Sequence, residues 1–172
     1  MDFRFVPPHL RHLDNLSAEM LACAIWDDEW PMLGLAGLAD WRLAGKLSSL
    51  AKRGFLTGRS GEVLMMPARP NLSFEKLLVI GLGKKAEFDA DEALRATKRL
   101  LGTLEGLQIK RVVVELPGRA DRSIAPERAA QIVRTCAGDS DAHDAWWLVE
   151  DADAEKAIVQ SLEGDAPRAR KS

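Results

Sequence analysis

The hydrophobic pattern alternates between short apolar runs and longer stretches with helical spacing. The run 20–26 is almost wholly apolar, which predicts a strand buried on both faces. A helix is predicted over about 90–106, beginning at a capping-box-like Asp89 and Glu92. Further strands are predicted at 3–6, 63–66, 77–80, 111–115 and 145–149, and further helices at about 41–53, from Pro126, and at 153–162. Such alternation predicts an α/β fold, a three-layer α/β/α sandwich with a mixed, mostly parallel sheet.

The composition is that of one globular domain, which we assign to residues 1–163, followed by a polar, flexible tail at 164–172. Of the 172 residues, 47% are hydrophobic and 29% charged, enough to build a core without metals or disulfides. The net charge of −2 gives no bulk attraction to nucleic acid or membranes. Two cysteines, no signal peptide and no apolar stretch near the roughly 18 residues of a membrane helix predict a cytoplasmic protein.

Three segments share their order with motifs of a known family. They read PMLGLAGLADWRLAGKL at 31–47, GFLTGRSGE at 54–62 and KLLVIGLGKK at 76–85. Together they resemble the amino-terminal domain of leucyl aminopeptidases, where a G-x-x-G-E-like turn leads into a strand and a later strand ends in G-L-G-K. The resemblance covers roughly residues 3–150.

This resemblance implies a macro-domain-like fold that helps assembly in the full-length enzymes and does not carry their chemistry. Their active site lies in a separate carboxy-terminal domain, where Asp, Glu and Lys hold two metal ions, in part through an N-T-D-A-E-G-R-L segment. That segment is absent here, and His9, His12 and His143 form no metal-binding motif. We therefore expect a stand-alone domain that is not an enzyme, with no catalytic residues, metal site or cofactor.

One candidate ligand site is the loop Gly81-Leu82-Gly83-Lys84, between a predicted strand and a predicted helix. Glycines in such a loop let backbone N–H groups approach a phosphate near the positive end of a helix. The loop lacks the third glycine of the dinucleotide fingerprint. A tight turn that needs glycine for its backbone angles is the alternative interpretation.

A candidate interface lies around the predicted helix 41–53. Five basic residues and no acidic ones occur over 41–61, whereas nine acidic residues and one lysine occur over 139–165. Opposite charges on two faces favour head-to-tail self-association or docking to a charged partner. The predicted interface residues are Trp26, Trp30, Trp41, Arg42, Lys46 and Arg53. A solvated helix face and tryptophans packed in the core are the alternatives.

The leading hypothesis is a scaffold or interaction domain that acts through self-association or by docking to a partner protein. The first alternative is a macro-like domain that binds a nucleotide or an ADP-ribose-type ligand through Gly81–Lys84. The second is a nucleic-acid accessory protein, which the near-neutral charge disfavours. We expect no membrane partner.

Overall fold

The structure is a computed structural model that describes residues 2–138 and 142–164. Its strands form one sheet in the order β1-β6-β5-β2-β4-β3, with all neighbours parallel except β3, which runs antiparallel to β4 at one edge. The strands are β1 (Asp2–Val6), β2 (Met20–Ile25), β3 (Val63–Pro67), β4 (Lys76–Gly81), β5 (Arg111–Val114) and β6 (Ala145–Val149). The predicted mixed, mostly parallel sheet is confirmed.

Helices cover both faces of this sheet. They are α1 (Leu10–Leu13), α2 (Gly34–Arg42), α3 (Lys46–Lys52), α4 (Ala90–Gly106), α5 (Pro126–Ala137) and α6 (Ala152–Gly164). The first three pack on one face, where Leu47 of α3 joins a core with Leu21 and Val79 of the sheet. The other three pack on the opposite face, where Ile158 of α6 joins a core with Met20 and Trp146. The result is the predicted α/β/α sandwich.

Strand β2 lies at the centre of the sheet, and all six of its side chains are buried. Its alternate residues point into the two cores, which is why the sequence shows a continuous apolar run rather than an alternating one. On β6 the adjacent Trp146 and Trp147 face opposite sides of the sheet. Trp146 is fully buried, and Trp147 is half-buried with the Arg4 guanidinium 5.1 Å from its ring centre.

The predicted single helix 41–53 is wrong, because two helices occupy this region. Helix α2 begins at Gly34, before the predicted helix starts, and α3 follows after a break at 43–45. The break contains Ala44 and Gly45 at φ angles of 54° and 77°. Two glycines weaken the helical signal of α2, but packing of Leu35, Ala36 and Ala39 against the sheet overrides it.

The other predicted helices agree with α4, α5 and α6 to within a few residues at their ends. Asp89 caps α4 as predicted, since its carboxylate accepts a hydrogen bond from the Glu92 N–H at 2.8 Å. The short α1 was not predicted. Of the predicted tail, only residue 164 lies within the described part of the chain, and it ends α6. Among the described residues, no helix has the length and apolar character needed to cross a membrane.

Candidate functional site

Four loops meet at one edge of the sheet, because β2, β4, β5 and β6 are parallel and end on the same side. This is the edge at which open α/β sheets bind ligands. We call it the carboxyl edge, and it comprises residues 26–33, 82–89, 115–125 and 150–151. The predicted ligand loop Gly81–Lys84 lies here, at the end of β4.

The backbone N–H groups of Gly81, Leu82 and Gly83 are all used inside the protein. They donate, over 2.8–2.9 Å, to the carbonyl oxygens of Glu62, Ile25 and Gly58 respectively. The three residues are buried, and only Lys84 is exposed. A phosphate cradle needs N–H groups that point at the ligand. This geometry favours the tight-turn interpretation, and the ligand role of the loop stays a prediction.

The turn 57–62 closes the loop from one side. The Glu62 carboxylate accepts hydrogen bonds from the N–H groups of Thr57 and Gly58 and so fixes the turn. Gly81 lies so close to this turn that a Cβ atom on it would overlap the carbonyl oxygen of Arg59. The G-x-x-G-E turn and the G-L-G-K loop therefore pack directly on each other, and the close approach requires glycine.

A buried carboxyl group lies against the first turn of α2. Both oxygens of Glu115, which follows β5, lie 3.1 Å from the Leu35 N–H. Burial raises the pKa of Glu115 to about 7, with a further upward contribution from Glu150, and outweighs the opposing hydrogen bond. A helix N-terminus attracts anions. Here the chain places its own carboxyl group at that position.

Ion pairs link the other loops of the carboxyl edge. The buried Arg119 guanidinium donates to both Glu150 carboxylate oxygens at 2.6 and 2.7 Å, and to the Ile124 carbonyl oxygen at 2.7 Å. The Lys85 ammonium lies 2.8 Å from Asp121 and 2.9 Å from Glu29. The hydrogen bonds that this ammonium donates, first to Asp121 and then to Glu29, raise the pKa of Lys85. Charged groups at this edge thus hold the loops to one another.

A second surface lies around helix α3. Trp41 precedes the helix and is 74% exposed, and Phe55 follows it and is 71% exposed. Trp30, with Pro31, faces Ser48, Ala51 and Lys52 across a groove of about 500 Å³. We define the α3 surface as Trp30, Trp41 and Phe55 with the basic residues Lys46, Lys52 and Arg53.

The three basic side chains of the α3 surface are exposed. Over residues 2–138 and 142–164 they have no ion pair. Arg42 differs, because its guanidinium donates to both Asp14 carboxylate oxygens at 3.0 Å. Exposed aromatic rings are typical of a surface that contacts another molecule.

The structure keeps five of the six predicted interface residues at or near the surface and corrects one. Trp26 is buried, with only 4% of its surface exposed, and its ring meets Phe88 edge-on at 4.9 Å. It extends the end of the central strand β2 into the interior and offers no contact surface. The interface role of the other residues stays a prediction.

Sequence reasoning missed Phe55, Glu115, Arg119 and Glu150. Glu115 and Glu150 each follow an apolar strand directly, which marks the carboxyl edge of a parallel sheet. Arg119 carries no such signal, because only the tertiary structure brings it to Glu150. In the described part of the chain, no group of three or more His, Cys, Asp or Glu residues could hold a metal ion.

Comparison with known proteins identifies relatives by sequence. Residues 31–140 match the family model of the cytosol aminopeptidase family, N-terminal domain. The cytosol aminopeptidase of Pseudomonas aeruginosa is 35% identical over 95 residues, covering 55% of this chain and 19% of the relative. The probable cytosol aminopeptidase of Pseudomonas syringae is 31% identical over 85 residues, covering 49% of this chain and 17% of the relative. The matches thus span about a fifth of these relatives' length.

Solved structures share the fold at low sequence identity. The macro domain of ganglioside induced differentiation associated protein 2 superposes with a TM-score of 0.71 at 12% identity, covering 98% of this chain and 86% of that one. A Trypanosoma brucei macrodomain in complex with ADP-ribose superposes with a TM-score of 0.67 at 16% identity, covering 92% of this chain and 67% of that one. A tomato leucine aminopeptidase mutant superposes with a TM-score of 0.63 at 13% identity, covering 94% of this chain and 35% of that one. These similarities show a macro-domain-like fold.

Proposed function

The chain belongs to the cytosol aminopeptidase family through that family's N-terminal domain, and from this premise we propose that it is a non-catalytic interaction domain. In this proposal it acts through self-association or by docking to a partner protein. The observation that carries the proposal is the α3 surface, where exposed Trp41 and Phe55 flank α3 and its three exposed cations, which have no ion pair within the described residues. The names of the relatives support the predicted cytoplasmic location.

Two features support contact through the α3 surface. Tryptophan, phenylalanine and arginine are enriched where proteins meet, and a few such residues often supply most of the binding energy. The groove beside Trp30 provides a concave site for an apolar side chain. The carboxyl edge offers less to a partner or ligand, because Glu115 and Arg119 already bind groups of the chain itself.

Site-specific photocrosslinking in the cells that make the protein tests this function. A photoreactive phenylalanine analogue replaces Trp41 or Phe55, and a control replaces Lys98, an exposed residue of α4 on the other face. We expect crosslinked products at positions 41 and 55 at several times the yield at position 98. Equal yields at all three positions, or no products at 41 and 55, would contradict the proposal.

A nucleotide or an ADP-ribose-type ligand is the second candidate function. It is favoured by fold similarity to a macrodomain determined with ADP-ribose and by the exposed Lys84 at the carboxyl edge. Titration calorimetry with ADP-ribose and common nucleotides tests it, with Lys84→Ala as the matched variant. Binding that weakens in the variant would support this function, and absence of heat with every ligand would exclude it.

A further inference from the structure

The two edge strands of the sheet differ in how they are protected. At one edge, β1 presents Asp2 and Arg4, two exposed charged residues that pair with each other at 2.9 Å. Charged side chains on an edge strand keep other strands from pairing with it. At the other edge, β3 has no charged residue, and its Val63 and Met65 side chains are 40% and 45% exposed. The edge formed by β3, which we call the β3 edge, therefore lacks this protection.

The pairing of β3 with β4 decides which of its backbone groups bond inside the sheet. Immediately before β3, the Glu62 carbonyl oxygen accepts a hydrogen bond from the Gly81 N–H at 2.9 Å. Immediately after it, the Ala68 N–H donates to the Glu75 carbonyl oxygen at 3.0 Å. Hydrogen-bonded positions alternate along an antiparallel pair, and the register between these two bonds is unbroken. The even-numbered residues of β3 therefore turn their N–H and C=O groups toward β4.

The odd-numbered residues of β3 turn the same groups away from the sheet. Val63 and Met65 each point an N–H and a C=O outward, whereas Pro67 offers only its C=O because proline has no N–H. In the described part of the chain, none of these outward groups takes part in a hydrogen bond. The β3 edge thus combines backbone groups that face solvent with exposed apolar side chains.

An extended strand is the occupant that such an edge fits, because it supplies N–H and C=O groups at the matching spacing. The β3 strand of a second copy meets this requirement with the same two residues. When two copies lie antiparallel about a twofold axis, Val63 of each lies opposite Met65 of the other, and each such pair exchanges two hydrogen bonds. A disordered peptide from another protein would lose conformational entropy on becoming extended, whereas β3 is already held extended by β4. The pattern of donors and acceptors therefore favours a second copy.

The side chains at this contact are compatible with one another. Val63 and Met65 are two residues apart, so they lie on the same face of the sheet. Antiparallel pairing brings Val63 of one copy beside Met65 of the other on that face, where both apolar side chains lose exposed surface. No charged residue of β3 is opposed by a like charge, because the strand has none. Side-chain burial therefore adds to the backbone hydrogen bonds.

We propose that the β3 edges of two copies pair antiparallel and join their sheets into one continuous sheet. The contact is isologous, because the same strand is used on both sides, so assembly stops at a dimer. It does not involve the α3 surface and goes beyond the proposed function. Because the contact is short and apolar, we expect it to need concentrated protein and to persist at high salt, which screens contacts between exposed charges.

Amide hydrogen exchange read out by NMR tests the pairing residue by residue. In dilute protein, the Val63 and Met65 amides face solvent and should exchange quickly, whereas those of Leu64 and Met66 bond to β4 and should exchange slowly. In concentrated protein at high salt, exchange at Val63 and Met65 should slow by about tenfold or more, with little change at Leu64 and Met66. Unchanged exchange at Val63 and Met65 overturns the inference.

Analytical ultracentrifugation at high salt measures the dimer itself. Met65→Lys places a charge on the β3 edge, and Val159→Lys is the matched control, because Val159 is an apolar residue of α6 that is 37% exposed. We expect the wild type and the control to form dimers, and nothing larger, as the concentration rises. Met65→Lys should associate about tenfold more weakly. Its urea unfolding should stay close to that of the wild type, since this side chain is already exposed.

A wild type that stays monomeric at high concentration overturns the inference. So does a dimer that Met65→Lys leaves unchanged, because another surface then holds it. If Met65→Lys fails to fold, exchange at the wild-type amides still decides, since it needs no substitution. These outcomes are separate from failure of the proposed function, which depends on crosslinks at positions 41 and 55.

Discussion

The carboxyl edge and the α3 surface use charged residues in opposite ways. At the carboxyl edge, Arg119 and Glu150 are buried and hold each other with two hydrogen bonds. On the α3 surface, Lys46 and Arg53 extend into solvent and have no ion pair within the described residues. The first region binds the protein to itself, whereas the charges of the second are exposed to solvent.

The difference follows from burial. A charge removed from water must be paired, because an unpaired buried charge costs several kcal/mol or more. A charge in water needs no partner. Pairing at the carboxyl edge is therefore explained by stability, and the exposed cations around α3 need no ion pair, consistent with their having none within the described residues. Substitutions in the two regions should separate these roles.

The largest effect is expected from Arg119→Ala. It leaves the Glu150 carboxylate buried without its partner, which should lower the free energy of unfolding by about 3–5 kcal/mol. Urea denaturation measures the loss. Arg122→Gln is the control, because the Arg122 side chain is 77% exposed and its pair with Asp151 should contribute less than about 1 kcal/mol. Similar losses in both variants would contradict the assigned difference between the pairs.

A smaller but still large effect is expected from Gly81→Ala. The added Cβ atom overlaps the Arg59 carbonyl oxygen, and displacing the turn 57–62 should cost about 3 kcal/mol in unfolding free energy. Gly102→Ala in α4 is the control, because a Cβ there meets no atom within 4 Å. It should be neutral or stabilising by up to about 1 kcal/mol, since alanine favours helices. A tolerated Gly81→Ala would mean that the loop is less tightly closed than the structure indicates.

Glu115 should make stability depend on pH. Its folded-state pKa of about 7 lies above the ordinary value of 4.5, so the folded protein binds this proton more tightly. The resulting stabilisation is present below pH 4.5 and is lost as pH rises through 7, by roughly 3 kcal/mol. Urea unfolding of the wild type and Glu115→Gln across this range measures it. The difference between the two proteins should change with pH, and a constant difference would rule out this titration.

The smallest effect on stability is expected from Trp41→Gln and Phe55→Gln. Both rings are more than 70% exposed, so each change should alter the unfolding free energy by less than about 0.5 kcal/mol. Association through the α3 surface should nevertheless weaken several-fold in ultracentrifugation. A stability loss comparable to that of Arg119→Ala would show that these aromatic rings serve the fold.

Most of the fold could be predicted from local patterns. The apolar runs of β2 and β6 and the amphipathic spacing of α4 reflect burial that is repeated along one element. The start of α2 at Gly34 could not be predicted in this way. It depends on packing against the sheet and on Glu115, which is eighty residues from its hydrogen-bond donor Leu35. The tryptophans and basic residues indicated a candidate interface around α3, whose contact role stays a prediction, but Trp26 was misassigned because it is buried in the interior against Phe88.

The sequence by itself determined the order of the strands and of the longer helices α4 to α6, the α/β class and the family, because hydrophobic periodicity and glycine-containing turn motifs are local features of a few residues. Only the tertiary structure decided which charges are paired and which are free. Pairing depends on distance and burial, and both are set by how distant loops meet. That is why Gly81–Gly83, which resembles a phosphate loop in the sequence, is closed by its own hydrogen bonds, while the cations of α3 are exposed and have no ion pair within the described residues.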